Sequence, residues 1–247
     1  MTTLELHPNQ TLRDHVRQLR RMRHDGIAVS ARQALLGADS GEDSGDVVEF
    51  VPLGDKRWLV AVIDAKSRGP AGAEIARDVA RLIVTRAHST RHPGALLAAA
   101  NALVSEAAAG DELVSVVVFV LDGARQTIRM ANAGQISPLA VGRSGGVVAL
   151  EGHGPALGLL PEVDYRDAGL MRLAPGMVVL AVTDGVHDAV DGEGNPFGRK
   201  GSSRSLAAVR EFGPRAVVRG VLADVERHAC ADEADDRTAL AFSFKGS

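Results

Sequence analysis

The sequence predicts an α+β domain in which largely antiparallel sheets are covered by pairs of helices. Two observations carry this. Most consecutive strand-like segments are parted by short turns such as LGDK, DGARQ and GRSGG, whereas parallel neighbours need crossovers of about a dozen residues. The helical patterns fall in pairs beside these runs, which is α+β layering and excludes a Rossmann or flavodoxin-like order. No shift in composition marks a second domain and no internal repeat is present, so one domain is expected.

Composition narrows the function classes. The chain has 247 residues, 45% apolar and 24% charged, enough to bury a full core. A net charge of −3 leaves no basic footprint for nucleic acid or an anionic membrane. The single cysteine, Cys230, excludes an internal disulfide framework and fits a reducing cytosol. The longest apolar runs, such as residues 116–121, fall far short of the roughly 20 residues a spanning helix needs. The polar, charged N-terminus carries no secretory apolar stretch. A cytoplasmic protein with neither nucleic-acid nor membrane partner is expected.

Residues 1–10 show no pattern. Over 11–24, Leu12, Val16, Leu19 and Met22 fall on one stripe with Arg13, Arg17, Arg20, Arg21 and Arg23 around it, predicting a basic amphipathic helix ended by Asp25-Gly26. It forms an extension over 1–26, ahead of a domain over 27–247, and reads as a surface helix packed on its own domain or else as a surface for a partner or a homodimer. Residues 27–36 read as an edge strand, followed by the acidic stretch GADSGEDSGD. Residues 47–53 and 57–63 flank Gly54-Asp55 and predict a hairpin. Pro70 suits a first helical position, and Ile75, Val79, Leu82 and Ile83 recur at helical spacing. A second helix runs from Pro93 through Leu96, Leu97, Leu103 and Val104 to Gly110. Short strands follow over 113–121, 127–131, 136–141 and 147–150. Residues 165–173 alternate, and Ala174-Pro175-Gly176 turns the chain into a strand over 177–182. Helices over about 205–212 and 214–228 precede a last strand over 238–244.

Residues 59–63 are a continuous apolar run, read as a strand buried on both faces, and they end in Asp64. A carboxylate buried there costs several kcal/mol unless positive charge meets it. The nearby cations, Lys66 and Arg68, lie beyond the turn. Asp46, Asp184 and Asp235 with Asp236 stand in comparable places, each at or beside a strand end and next to glycine or another acid. One Asp-Gly after a strand is usually only a turn; the set points to a site. Carboxylates brought together repel and hold protons at neutral pH. Divalent cations remove that cost, and all-oxygen donors suit Mg²⁺ or Mn²⁺ rather than zinc.

The segments carrying these acids resemble one family throughout. SGDVVEFVPLGD is similar to a GGD-aromatic-aromatic-D-hydrophobic-hydrophobic-PLGD motif, and VIDAKSRG to GDV-x-G-[HK]-G. MANAGQISPLAV resembles YANAGH-x-PPL, and GHGPALGLLPEVDY resembles G-x-PLGLLP-x-x-x-Y. LAPGMVVLAVTDGVHDAVDGEGNPFG and DDRTALAF resemble the LxPGDxLLLYTDGVTEARNxxGExFG and DD-[IR]-T-LLV blocks. The motifs are those of metal-dependent, type 2C-like (PPM) protein serine/threonine phosphatases, in their bacterial SpoIIE/RsbU-like branch. They span residues 27–244 in the family's order.

The resemblance implies an α-β-β-α four-layer sandwich with two Mn²⁺ or Mg²⁺ ions at one end. Asp64 would bridge both ions and the carbonyl of Ala65 would complete the second. Asp184 and Asp235 would hold the first, with Asp236 the alternative, and Asp46 the second. Catalysis would centre on Asp64 and Asp184, with a metal-activated water hydrolysing phosphoserine or phosphothreonine without a phospho-enzyme. The implied substrate is a phosphorylated protein such as an anti-sigma-factor antagonist. Lys66 and Arg68 are candidates for phosphate contact, or else solvated turn charges. His187 is a candidate general acid, or else a surface histidine.

The sequence departs from the pattern at Glu49 for aspartate, Val47-Val48 for aromatics, and Ser67-Arg68 for Gly-His or Gly-Lys. Ala65 stands for valine and Gln135 for histidine. None removes an implied ligand. Two function classes follow: an active phosphatase, or a catalytically weak or inactive phosphatase-like module that binds a regulatory protein.

Overall fold

In the computed structural model, which describes residues 20–24, 26–34, 44–67, 69–107, 112–152, 154–230 and 235–244, backbone pairing begins before the expected domain start. Strand β1 (Arg20–His24) turns at Gly26, φ +81°, and pairs antiparallel with β2 (Ile27–Ala34) from Arg20↔Ala31 to His24↔Ile27. The helix expected over 11–24 is corrected here: residues 20–24 are strand, and 11–19 lie outside the described residues. The reason is tertiary. Without β1, β2 would present a row of unpaired N–H and C=O groups, and a ladder outweighs a short apolar stripe. The edge strand expected over 27–36 is thus an inner strand.

Strand β3 (Asp46–Gly54) turns through Gly54, Asp55 and Lys56, with φ of 76°, 48° and 60°, into β4 (Arg57–Ala65), the predicted hairpin. Helices α1 (Gly69–Arg86) and α2 (Pro93–Ala107) follow. Next come β5 (Val114–Asp122), β6 (Thr127–Ala133), β7 (Leu139–Val141) and β8 (Val147–Ala149). Strand β9 (Leu170–Arg172) and β10 (Val178–Val182) lead into the one-turn α3 (Asp184–His187). Helix α4 (Gly198–Val209), a 3₁₀ turn (Arg210–Phe212), α5 (Pro214–His228) and β11 (Arg237–Phe244) complete the chain.

The strands form two sheets, β1-β2-β11-β10-β7-β8 and β3-β4-β5-β6-β9. Every strand pair within them is antiparallel. Alternate residues build the layers. Leu59, Ala61 and Ile63 of β4, with Val116 and Val118 of β5, pack on Ile75, Val79 and Ile83 of α1 and Leu96, Leu97 and Val104 of α2. Val60, Val62, Val117 and Phe119 face the other way and meet Val179, Ala181, Leu240 and Phe242 of the second sheet. There the rings of Phe119 and Phe242 cross edge-on, 5.1 Å between centroids. The far face of the second sheet, Val178, Leu180, Ala239 and Ala241, is covered by Leu206 of α4 and Val217, Val218, Val221 and Val225 of α5. The result is the α-β-β-α sandwich, and double-sided burial explains why β4 and β5 read as unbroken apolar runs.

The alternation over 165–173 yields only β9. Tyr165 instead enters the core beneath α2, its hydroxyl donating to the Pro155 carbonyl at 3.0 Å. Asp167 Oδ1 accepts from the Gly94 N–H at 2.9 Å, at the start of α2. Side-chain hydrogen bonds of this kind compete with a strand ladder.

Candidate functional site

Strand register and parity bring the acids together. Asp46 stands opposite Asp64 across β3–β4, and Asp64 opposite Ser115 across β4–β5. All three share the parity of the residues that face the second sheet, so they project between the sheets at one end of the sandwich. From the other sheet, Thr183 continues the inward parity of Val179 and Ala181 beyond the end of β10. Its Oγ1 donates to Asp46 Oδ2 at 2.9 Å and accepts from the Thr238 N–H at 3.1 Å. Ser44 Oγ accepts from the Asp46 N–H at 3.0 Å, and Gln33 Nε2 donates to Ser44 Oγ at 2.5 Å.

Asp184 follows Thr183 and opens α3. A Cβ at Gly185 would lie 2.1 Å from the Asp236 carbonyl oxygen. Glycine is therefore what lets the Asp235-Asp236 segment lie against the start of α3. On the opposite side, the Ala65 N–H donates to the Gly45 carbonyl at 3.1 Å, and a Cβ at Gly45 would come 3.1 Å from the Ala65 carbonyl oxygen.

The electrostatics follow from burial and crowding. Asp46 and Asp64 are 4% and 5% exposed. Burial, and then the Asp64 charge, hold the Asp46 carboxyl well above the usual carboxylate range. Burial and the Asp184 charge push Asp64 up to about 6, against the pull of Lys66 and a hydrogen bond from Ser115 Oγ at 3.2 Å. Lys66 Nζ lies 2.7 Å from Asp64 Oδ2 and 2.5 Å from Asp184 Oδ2. Burial alone would depress its ammonium, but the Asp64 charge and the hydrogen bonds to Asp184 and Asp64 push it up to about 12.

The donors gathered here are oxygens, and their mutual repulsion is relieved by positive charge. In kind and in charge they fit a hard divalent cation. Among the described residues, however, no three acidic or histidine side chains converge as a ready ligand group. Lys66 takes up the position between Asp64 and Asp184.

A family model, Stage II sporulation protein E (SpoIIE), matches residues 54–245. The chain belongs to the SpoIIE family. Its fold is that of PP2C-type phosphatases in the SpoIIE/RsbU branch. The RsbU and RsbW domains of Rv1364c from Mycobacterium tuberculosis superpose with a TM-score of 0.76 at 18% identity, covering 90% of this chain and 62% of that one. The chain thus spans less than two thirds of that structure. The PP2C phosphatase domain of the cell fate determinant SpoIIE from Bacillus subtilis, with a fragment of its regulatory domain, gives 0.73 at 15% identity, covering 92% and 71%. RsbX in complex with magnesium gives 0.68 at 14% identity, covering 92% and 100%. No curated protein sequence matches the chain.

In this SpoIIE-family chain the family match begins at Gly54, so Asp46 lies outside it and joins the other acids through the SGDVVEFVPLGD resemblance and its place opposite Asp64. Asp46 stands opposite Asp64, Asp64 and Asp184 share Lys66 Nζ, the Asp235-Asp236 backbone lies against Gly185, and the Ala65 carbonyl lies beside Gly45. Lys66, one reading of which was a solvated turn charge, instead reaches into the acid cluster. Arg68 lies outside the described residues. His187 closes α3, half-buried, and its Nδ1 is shut off from solvent with no hydrogen bond. Glu49 shares the parity of Val47 and Val51, which face α1, so it points away from Asp46. Gln135 is buried in the turn after β6, where Asn132 Oδ1 accepts its N–H at 2.8 Å and Asn132 Nδ2 donates to its carbonyl at 2.9 Å. Sequence reasoning missed Thr183, Ser115, Ser44 and Gln33. The signal for Ser115 was available: it is a lone hydroxyl in an otherwise apolar strand.

No helix among the described residues is long and apolar enough to cross a membrane.

Proposed function

We propose that the chain hydrolyses phosphoserine or phosphothreonine on a protein substrate, with two Mn²⁺ or Mg²⁺ ions held at the acidic end of the sandwich. The observation that carries this reading is the placing of Asp46 opposite Asp64 in one sheet, with Asp184 from the other sheet close enough to Asp64 that both carboxylates reach Lys66 Nζ. Family membership supports it, as does the magnesium complex of the structural relative RsbX. Asp64 would serve both ions. Asp184 and Asp235, with Asp236 the alternative, serve the first ion; Asp46 and the Ala65 carbonyl serve the second. Such cations lower the pKa of a water and neutralise charge on phosphoryl oxygens.

The chain's own contribution is positioning. Asp64 is fixed by the β4 backbone and Ser115, and Asp46 by Thr183 and Ser44. Oxygens fixed in this way need no reorganisation as charge develops on the substrate. The substrate class we favour is the phosphorylated anti-sigma-factor antagonist implied by the resemblance, met in the cytoplasm, with contact between copies through the basic N-terminal segment.

A second reading, a weak or inactive phosphatase-like module that binds a regulatory protein, is favoured by Lys66 between Asp64 and Asp184 and by the outward-turned Glu49. The test is hydrolysis of p-nitrophenyl phosphate with Mn²⁺, Mg²⁺ or EDTA, with Asp184→Ala as control. Metal-dependent turnover lost in the variant supports the phosphatase. No turnover with any metal, and no calorimetric metal uptake, selects the second reading. Regulator binding that survives alanine at both Asp64 and Asp184 would then identify the module.

A further inference from the structure

Lys66 is tied down at its backbone and free along its stem. It follows the end of β4, where its N–H donates to the Leu113 carbonyl at 2.8 Å. From there Nζ reaches Asp64 Oδ2 at 2.7 Å and Asp184 Oδ2 at 2.5 Å. One ammonium therefore joins the acid that ends β4 in one sheet to the acid that follows β10 in the other. The side chain is 36% exposed, so rotation about its flexible four-carbon stem can carry the head into water with no backbone movement.

We infer that Lys66 is a built-in counter-cation, holding Asp64 and Asp184 in the metal-free protein and competing directly with a divalent cation for their oxygens. The inference rests on reading these two aspartates as metal ligands. A single charge on three rotatable N–H donors satisfies both carboxylates well enough to keep them together, while a divalent cation offers twice the charge at the same oxygens. A divalent cation on Oδ2 of both residues would stand where Lys66 Nζ lies and would meet its like charge at contact distance, so uptake of metal there requires Lys66 to leave. When the competent form is only a fraction of the population, apparent affinity falls by that fraction. Replacing Lys66 by a neutral side chain should thus act with opposite signs on the two states: metal binds more tightly, and the metal-free protein loses a tie between its sheets.

The experiment titrates Mn²⁺ into the full 247-residue chain by calorimetry, comparing wild type with Lys66→Met and, as a second neutral variant, Lys66→Gln. Metal-free melting temperatures are measured in parallel. Mn²⁺ should bind about tenfold more tightly to the variants, as expected for loss of partly exposed ion pairs, and their metal-free melting temperatures should fall. A direct readout separates displacement from a general charge effect. Reductive methylation read by mass spectrometry should label Lys66 slowly without Mn²⁺ and faster with it, relative to Lys56 in the distant β3–β4 turn. Unchanged or weaker Mn²⁺ affinity in both variants, no detectable Mn²⁺ binding to any form, or Lys66 labelling that ignores Mn²⁺ would overturn the inference. None of these readouts is turnover, so a protein that binds Mn²⁺ as described yet hydrolyses nothing would fail the phosphatase reading alone.

Discussion

Thr183 donates its hydroxyl to Asp46 Oδ2 at 2.9 Å, and so fastens the last residue before α3 in one sheet to the first residue of β3 in the other. Thr183 Oγ1 in turn accepts the Thr238 N–H at 3.1 Å, and Thr183 is fully buried. One hydroxyl thus satisfies two groups that have no water to turn to.

Thr183→Val keeps the shape and removes both hydrogen bonds. A buried acceptor and a buried N–H are left unpaired, at a cost of about 1–3 kcal/mol each when nothing replaces the partner. The variant should lose roughly 2–4 kcal/mol in urea denaturation, and Thr183→Ser should recover most of it. A loss below half a kcal/mol would mean that the two sheets are not joined here.

Gly185→Ala tests how closely the Asp235-Asp236 segment lies against α3. The added methyl would sit 2.1 Å from the Asp236 carbonyl oxygen, too close for either backbone to ignore. Overpacking of this kind costs about 1–3 kcal/mol. The larger expected effect is on the site: the displaced segment should weaken Mn²⁺ binding by calorimetry while circular dichroism stays unchanged. Wild-type affinity in this variant would remove Asp235 and Asp236 from the proposed ligand set.

Tyr165 is the only tyrosine in the chain, so absorbance of the tyrosinate reports it alone. Burial pushes its hydroxyl from 10.0 up to about 12 in the folded protein. Between those values the unfolded chain releases a proton that the folded chain keeps, so stability declines as pH rises above about 10. Spectrophotometric titration should show a single transition near 12 in the native protein and near 10 in denaturant. Tyr165→Phe should flatten the alkaline loss of stability and cost about 1 kcal/mol at neutral pH through the hydrogen bond to Pro155.

What could be read in advance followed from local pattern. The β3–β4 hairpin, the stripe of α1 and the apolar runs of β4 and β5 carry their periodicity in neighbouring residues, and the acids were visible because each interrupts or ends such a run. Strand β1 was misread because apolar residues at helical spacing over 11–24 conceal its local hairpin with β2 across Gly26. Thr183 and Ser115 were missed because their value lies in strand parity across two sheets, which is defined only once the register is known. Lys66 stands two residues after Asp64 in plain view, yet nothing in a sequence says whether a four-carbon stem folds back over a sheet end or points to water. Glu49 shows the same limit: it stands where the motif has aspartate, and only strand parity shows that it turns toward α1.

Asp46→Asn separates stability from metal binding. Burial and the neighbouring Asp64 charge hold the Asp46 carboxyl well above the usual range, so the folded state resists its ionisation more than the unfolded chain does. Stability linked to such a raised group is present at low pH and declines as pH rises through its folded value. Asparagine mimics the neutral form and can still accept from Thr183, so the metal-free variant should melt at or above the wild-type temperature at pH 7, with a weaker decline between acid and neutral pH. Excess Mn²⁺ should raise the wild-type melting temperature, since a ligand that binds only the folded state stabilises it by mass action, and should do much less for the variant. A metal-free variant that melts well below wild type would show that the Asp46 charge, rather than its shape and hydrogen bond, holds the two sheets together at this end.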